Sequence, residues 1–285
     1  MDSPDVVSLI EGLDHPEGVA WGRDGCLYAG GEAGQLYRVD IDTLVVDQFA
    51  TTGGFILGIA LDADSTVFAC DSKRKAVMRV GKDGRASIYS SGSADRTMTT
   101  PNFPVFASSG LMYVSDSGTW EGDDGCIYAI NPSGEAEVWS EEICGFPNGL
   151  ALDAGEDYLY VAESTGRCVS RLPILSDGRA GPRELVVELR GTVPDGLAFD
   201  AEGGLLVSCY RPDRIYRFLP SGDLTVLAED PDGTSLAAPT NVCFGGNDLA
   251  RLFSANLGRW HISEVSVPFS GAPLKYPSLP GVRNV

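Results

Sequence analysis

The 285-residue sequence has only two histidines, His15 and His261, and no cysteine pair with the Cys-x-x-Cys spacing. A histidine-rich metal site is therefore impossible, and the cysteines do not indicate a zinc site. A Ser-His-Asp triad would need one of these two histidines, and no Gly-x-Ser-x-Gly elbow precedes a helix-like segment. We interpret His261, which opens a strand, as structural, and His15 at most as a support for its neighbours.

Positive charge is scarce as well: 21 basic residues stand against 40 acidic ones, for a formal net charge of −19. This balance argues against nucleic acid or an anionic membrane as a partner. It suits solubility, and clustered carboxylates could also attract cations. No apolar run approaches the roughly 18 residues of a membrane helix, and the N-terminus lacks a secretory pattern. The seven cysteines favour reduced, buried thiols, so we predict a cytoplasmic protein.

Long helical periodicity is absent too, and short β-branched and aromatic strands alternate with Asp-Gly, Ser-Gly and Gly-Gly turns. A hydrophobic pair recurs at intervals of 40 to 47 residues, and each interval has room for about four strands. The pairs are Leu27-Tyr28, Val67-Phe68, Met112-Tyr113, Leu159-Tyr160, Leu205-Leu206 and Leu252-Phe253. This repeat predicts an all-β fold, a six-bladed β-propeller, that forms a single domain over residues 1–285.

The sixth unit lacks a fourth strand of its own, because the chain passes into a proline-rich tail after Val267. The segment 6–12 near the N-terminus is similar to the fourth strands of other units, such as 185–189. We therefore predict that an N-terminal strand completes the last blade and closes the ring.

Polar residues recur ten or eleven positions before the hydrophobic pairs, where first strands should enter the central channel. The residues at this position are Glu17, Leu57, Asn102, Asn148, Asp195 and Asn241. A single Asn-Gly or Asp-Gly is typical of a tight turn. Five polar groups that converge on one axis, two of them carboxylates, instead favour a divalent cation with oxygen ligands.

Three segments share one pattern: Pro16-Glu17-Gly18-Val19, Pro147-Asn148-Gly149-Leu150 and Pro194-Asp195-Gly196-Leu197. In order and spacing they resemble the SMP-30/gluconolactonase/LRE family of calcium-dependent propellers, over nearly the whole chain. The resemblance implies that Glu17, Asn148 and Asp195 bind one divalent metal, calcium first, with Mg²⁺, Mn²⁺ or Zn²⁺ as alternatives. It implies a metal or substrate contact for Asn102, although the family's Asn-Asp pair is replaced here by Asn102-Phe103.

The implied activity is that of a metal-dependent lactonase that opens a small sugar lactone or similar cyclic ester. Asp195 is the predicted catalytic residue, as the general base that activates water, while the metal polarises the ester carbonyl. Loops between second and third strands should surround the opening and set specificity. The predicted substrate contacts are Asn102, Asn241, Trp120, Tyr210, Arg211 and Trp260.

Two alternatives remain open at this point. The same scaffold could carry phosphoester or phosphofluoridate hydrolysis or a lyase step, because the metal ligands would be unchanged. The other alternative is a non-catalytic propeller that binds a ligand or protein and holds a structural calcium. The predicted partner is a small lactone or ester, and nothing in the sequence indicates a protein partner.

Overall fold

The computed structural model of the protein describes residues 5–279, and within this range it contains twenty-four β-strands and no helix. None of the described segments is thus a helix of the length and apolarity that spanning a bilayer requires. The first twelve strands are β1 (Val6–Ile10), β2 (Val19–Trp21), β3 (Cys26–Gly30), β4 (Gln35–Asp40), β5 (Val45–Thr51), β6 (Ile56–Leu61), β7 (Val67–Asp71), β8 (Ala76–Val80), β9 (Ala86–Ser90), β10 (Pro101–Phe106), β11 (Met112–Asp116) and β12 (Cys126–Ile130). The others are β13 (Ala136–Ser140), β14 (Pro147–Leu152), β15 (Tyr158–Glu163), β16 (Cys168–Pro173), β17 (Glu184–Glu188), β18 (Val193–Phe199), β19 (Leu205–Tyr210), β20 (Arg214–Phe218), β21 (Leu224–Glu229), β22 (Pro239–Gly245), β23 (Arg251–Asn256) and β24 (His261–Val265).

The strands form six four-stranded antiparallel sheets, which are the blades of a propeller. Blades 1 to 5 are β2–β5, β6–β9, β10–β13, β14–β17 and β18–β21, in chain order. Blade 6 is β22–β24 together with β1. The first strands of neighbouring blades contact each other around a central axis, so the predicted six-bladed β-propeller is confirmed.

The N-terminal strand closes the ring as the sequence predicts. Strand β1 pairs antiparallel with β24, with Val6 opposite Val265. The Ile10 side chain, 3% exposed, belongs to the core between blades 6 and 1, whereas Val7 on the other face is 57% exposed. The chain thus joins its first strand to its last blade, which leaves β24 without a free edge.

Apolar side chains fill the space between successive blades in six clusters, one for each interface. Between blades 2 and 3, for example, Phe68 meets Phe106 edge to face with the ring centroids 5.1 Å apart. The blades are held together by the apolar side chains that neighbouring sheets bury against each other. All seven cysteines are free, and six of them are buried in or beside these clusters.

Asn148-Gly149 and Asp195-Gly196 lie inside first strands rather than in turns, and each strand is bulged at that point. The glycines allow close approach of adjacent blades. A Cβ on Gly149 would lie 2.4 Å from the Asp195 carbonyl oxygen, and one on Gly196 would lie 2.6 Å from Asn241 Oδ1. The bulge changes the direction of the polar side chain before the glycine, and the glycine lets the next blade pack closely against the strand.

The two ends of the central channel differ in chemistry. The first strands end around an apolar cavity of about 240 Å³, which residues 272–276 partly cover. This covering segment is anchored by the Tyr276 hydroxyl, which donates to the Trp21 carbonyl at 2.6 Å, and by Lys275, 3.0 Å from Glu156. The polar residues of the first strands therefore gather at the opposite end.

Candidate active site

Five polar side chains from five blades meet at the start of the first strands. Four of them are almost fully buried: Asn102 and Asn148 are each 5% exposed, Asp195 is 4% and Asn241 is 2%. Glu17, just before β2, is partly exposed. Leu57 of blade 2, 8% exposed, occupies the sixth position and makes that side of the ring apolar.

Serine hydroxyls fix the orientation of two of the amides. Asn148 donates from Nδ2 to Ser164 Oγ at 3.2 Å, and this hydroxyl donates onward to the Pro194 carbonyl of the next blade at 2.8 Å. Asn102 makes the same relay through Ser117, over 3.0 Å and 2.7 Å, to the Pro147 carbonyl. Since the amide nitrogens are engaged here, the carbonyl oxygens are the free ends of these side chains.

The last blade joins the first at Glu17. Asn241 donates from Nδ2 to the Glu17 carbonyl oxygen at 3.0 Å, and the Thr240 hydroxyl donates to the same oxygen at 2.9 Å. The Glu17 backbone, only two residues before β2, is therefore held by β22, which places this carboxylate beside the amide of Asn241.

Two buried amide oxygens at this end of the channel accept no hydrogen bond from the described part of the chain. Asn148 Oδ1 and Asn241 Oδ1 have no hydrogen-bond partner among the described residues, and the third such side-chain atom, Ser90 Oγ, lies in another part of the blade ring. An unsatisfied buried carbonyl oxygen costs about 1–3 kcal/mol, so native proteins rarely keep one without a ligand, ion or water.

The carboxylates share this buried environment and repel each other. Burial, with repulsion from Glu32, raises the pKa of Glu17 from 4.5 to about 7. Burial, with repulsion from Glu17, raises the pKa of Asp195 well above its ordinary value, and the Asn148 amide opposes this only in part. Burial and the same two carboxylates also raise the pKa of the Tyr210 hydroxyl, which therefore lies in their field.

This donor set fits a hard divalent cation. Two carboxylates balance the charge of one such ion, and amide oxygens without partners complete an all-oxygen set. Oxygen ligands without cysteine or histidine favour Ca²⁺, Mg²⁺ or Mn²⁺ over zinc or copper. A bound cation would satisfy the orphan oxygens and relieve the repulsion between Glu17 and Asp195.

The predicted substrate contacts from the loops lie on different sides of the opening. Trp120, 48% exposed, packs edge-on against Phe146 with ring centroids 4.7 Å apart, and lines a cleft of about 250 Å³ with Ser164. Trp260, 46% exposed, stands half a ring away in the loop of blade 6. Tyr210 is the last residue of β19 in blade 5, and the exposed Arg211 follows it.

The two histidines differ in their surroundings. His261 is 2% exposed, and its Nε2 lies 3.0 Å from the Ser235 carbonyl, so the interpretation of a structural histidine is confirmed. His15 is partly exposed at the rim, with Nδ1 2.8 Å from Glu32 Oε2 and 3.2 Å from Asp14 Oδ1. It supports the rim through contacts that the sequence pattern did not predict.

The buried serines were missed in the sequence. Ser115 donates to the Asn148 carbonyl of the next blade at 2.6 Å, and Ser208 donates to the Thr240 carbonyl at 2.8 Å. Together with Ser117 and Ser164 they connect second strands to neighbouring first strands. The sequence signal for Ser117 and Ser164 is an acidic residue followed by serine at the end of a second strand, in Asp116-Ser117 and Glu163-Ser164. This pair is also typical of ordinary loops, so it did not single out the serines.

Comparison with known proteins identifies the family to which the chain belongs. Residues 15–256 match the family described as the SMP-30/Gluconolactonase/LRE-like region. The chain therefore belongs to this family, and the resemblance carried by the first-strand motifs is confirmed.

Two curated relatives are lactonases by name. A gluconolactonase from Zymomonas mobilis is 27% identical over 221 residues, which are 70% of this chain and 60% of that protein. A 6-deoxy-6-sulfogluconolactonase from Pseudomonas putida is 27% identical over 168 residues, which are 53% and 56% of the two chains. The chain thus spans about three-fifths of the length of the curated relatives it matches. Their names support lactone hydrolysis at the level of the family.

A solved structure extends the likeness in fold. Regucalcin from Agrobacterium tumefaciens, described as a calcium-binding protein, has a TM-score of 0.81 at 16% identity and covers 96% of this chain and 97% of that one. At this identity the likeness shows the propeller fold.

Proposed function

We propose that the protein is a metal-dependent lactonase whose site lies at the polar end of the channel. The observation that carries the proposal is the pair of buried amide oxygens, Asn148 Oδ1 and Asn241 Oδ1, which have no partner within residues 5–279 and lie at the same end of the channel as Glu17 and the buried Asp195. In this proposal Glu17, Asn148 and Asp195 hold one divalent cation, Ca²⁺ first. When bound, such an ion supplies Lewis acidity towards an ester carbonyl.

Asp195 is the proposed general base. Its carboxylate lies at the channel mouth in the field of Glu17 and Tyr210, where it can accept a proton from a water molecule that attacks the ester. The ring oxygen of the opened lactone then leaves as an alcohol, and the product is a hydroxy acid. The Ser164 relay keeps Asn148 oriented while this happens.

The proposed substrate is a small sugar lactone, a choice that the lactonase names of the relatives support. Asn102 and Asn241 orient substrate oxygens from within the channel. The loop residues form the walls of the opening: the proposed contacts are Trp120, Tyr210, Arg211 and Trp260. Arg211 contributes a cation to this wall, and Glu32 contributes a carboxylate at the rim beside His15.

The test is turnover of a panel of aldonolactones and aliphatic lactones in a pH-stat, after chelation and again with Ca²⁺, Mg²⁺, Mn²⁺ or Zn²⁺. We expect chelation to abolish turnover and one of these ions to restore it. Asp195→Asn should lower kcat by about 10²- to 10⁴-fold, the usual worth of a general base, with the fold intact by circular dichroism. The matched control is Glu137→Gln, because Glu137 is exposed on the outer strand of blade 3.

Full turnover by the chelated protein or by Asp195→Asn would contradict the proposal. Tight calcium binding without hydrolysis of any lactone would favour another reaction on this scaffold or a non-catalytic propeller.

A further inference from the structure

His15 and Trp260 form an aromatic pair where blades 1 and 6 meet at the open end of the channel. Their ring centroids are 4.1 Å apart with the planes tilted by 47°. Two peptide units separate His15 from Glu17, so the two Cα atoms are at most about 7 Å apart. The pair therefore lies near the candidate metal centre, at the rim of the same opening.

Two carboxylates hold the His15 ring in place. Nδ1 lies 2.8 Å from Glu32 Oε2 and 3.2 Å from Asp14 Oδ1. Asp14 is itself fixed through Oδ2, which accepts from Gln35 Nε2 at 2.8 Å and from the Ala33 amide at 3.2 Å. Because a carboxylate only accepts hydrogen bonds, the ring must carry its proton on Nδ1. Nε2 has no partner within residues 5–279 and is the available nitrogen.

The backbone of both residues is strained. His15 has φ 39° and Trp260 has φ 59°, values that side chains other than glycine seldom adopt. The loop before Trp260 is pinned to blade 6 by amide hydrogen bonds from Leu257 and Gly258 to the carbonyls of Ala238 and Ala237, over 3.1 Å and 3.0 Å. Such strain persists where the surroundings fix it.

The pair presents a half-exposed indole face, a free imidazole nitrogen and the Glu32 carboxylate within one patch. An indole face packs against the C–H groups of a ligand ring. The nitrogen and the carboxylate can both form hydrogen bonds with hydroxyl groups, which donate as well as accept. A few placed polar groups beside an apolar wall are typical of sites that fix the orientation of a small molecule.

We propose that His15 and Trp260, with Glu32, form a subsite that binds the hydroxyl-bearing part of the substrate beside the metal centre. This inference rests on the proposed lactonase function, and it makes His15 a specificity-determining residue. An unsubstituted lactone has no hydroxyl groups for His15 and Glu32, so its turnover depends less on this subsite.

The test compares a polyhydroxylated six-membered lactone with δ-valerolactone in the metal-loaded wild-type protein and in three variants. His15→Phe keeps a ring against Trp260 but removes the nitrogens, Trp260→Ala removes the face, and Glu137→Gln is the control. We expect His15→Phe and Trp260→Ala each to raise KM for the hydroxylated lactone about tenfold, the size of one lost hydrogen bond or ring contact. With δ-valerolactone, the loss in both variants, relative to the control, should be clearly smaller.

A merely structural role would change both lactones alike, so equal losses on the two substrates, or none, overturn the inference. If the wild-type protein hydrolyses neither lactone, the proposed function fails, and calorimetric binding of the open-chain polyhydroxy acid decides the subsite separately. Binding about tenfold weaker in His15→Phe and Trp260→Ala supports the subsite. Equal binding in all forms, or no binding by the wild type, overturns it.

Discussion

At the scale of single residues, the chemistry of the channel mouth depends on which atoms of each side chain are hydrogen-bonded and which are left to bind a ligand. The pattern of polar positions identified Glu17, Asn148 and Asp195 from sequence, since each follows proline and precedes glycine. The sequence did not reveal the partner of the Asn148 amide. Ser164, sixteen residues later, takes its Nδ2 and leaves Oδ1 free. This hydroxyl donates onward to the Pro194 carbonyl of the next blade, and a contact between blades is not visible in the repeat pattern of the chain.

Ser164→Ala should weaken both metal binding and stability. The buried Asn148 Nδ2 and Pro194 carbonyl would lose their shared partner, which should lower the free energy of unfolding by about 1–3 kcal/mol. Loss of a group that orients a ligand typically weakens metal binding about 10- to 100-fold. Calorimetric calcium titration and urea unfolding measure the two effects.

The matched control for this variant is Ser72→Ala. Ser72 follows the second strand of blade 2, as Ser164 does in blade 4, but its blade contributes Leu57 to the channel. Its hydroxyl only donates to the Phe55 carbonyl at 3.4 Å. We expect unchanged calcium affinity in Ser72→Ala, and an equal loss in both variants would argue against the amide relay.

At the scale of elements, strand periodicity predicted blades and their closure, because a sheet that buries both faces between neighbours needs apolar residues at regular spacing. The alternative of turns at Asn148-Gly149 and Asp195-Gly196 was wrong for a physical reason. These glycines do not have the positive φ of tight turns, and they serve the close approach of the next blade. Local turn propensity cannot distinguish the two uses of glycine.

Ile10→Ala in β1 should destabilise the closed ring. Ile10 is 3% exposed between blades 6 and 1, and truncation of such a side chain costs about 2–5 kcal/mol. Val7→Ala in the same strand is the control, because Val7 is 57% exposed and its loss should cost under about 0.5 kcal/mol. Urea unfolding monitored by tryptophan fluorescence measures both. Equal midpoints for the two variants would contradict a contribution of this strand to the closure.

At the scale of the whole molecule, the closed ring brings residues that are far apart in the sequence into contact. Glu17 and Asn241 lie at opposite ends of the sequence, yet a hydrogen bond of 3.0 Å joins them. The ring also separates the polar mouth from the apolar cavity at its other end. Carboxylates that are far apart in an extended chain, such as Glu17 and Asp195, therefore come close enough to repel each other in the folded protein.

The metal-free protein should consequently lose stability as pH rises. Glu17 has a pKa of about 7 when folded against 4.5 ordinarily, so the folded state binds more protons between these values. Its stabilisation is complete below about pH 4.5 and is lost as the pH rises through 7. The shift of the Glu17 pKa from 4.5 to about 7 corresponds to roughly 3 kcal/mol of that loss.

Urea unfolding of the chelated protein across this range measures the effect, with Glu17→Gln as the comparison because it cannot titrate. The loss should be smaller in Glu17→Gln, and saturating calcium should flatten the wild-type profile because it neutralises the site. Identical profiles for wild type and Glu17→Gln would contradict the repulsion at the mouth.

The sequence by itself determined the fold class, the six repeats, the closure by the N-terminal strand and the polar residues of the first strands. Each of these has a local signal, either a strand-length apolar run or a Pro-x-Gly motif at fixed spacing. Only the tertiary structure decided the serine relays, the orphan amide oxygens and the contact of His15 with Trp260. The relays join groups 15 to 33 residues apart, and His15 and Trp260 come from opposite ends of the chain, so these contacts form only when the blades fold and pack. Their geometry is set by packing between blades, which no local pattern encodes.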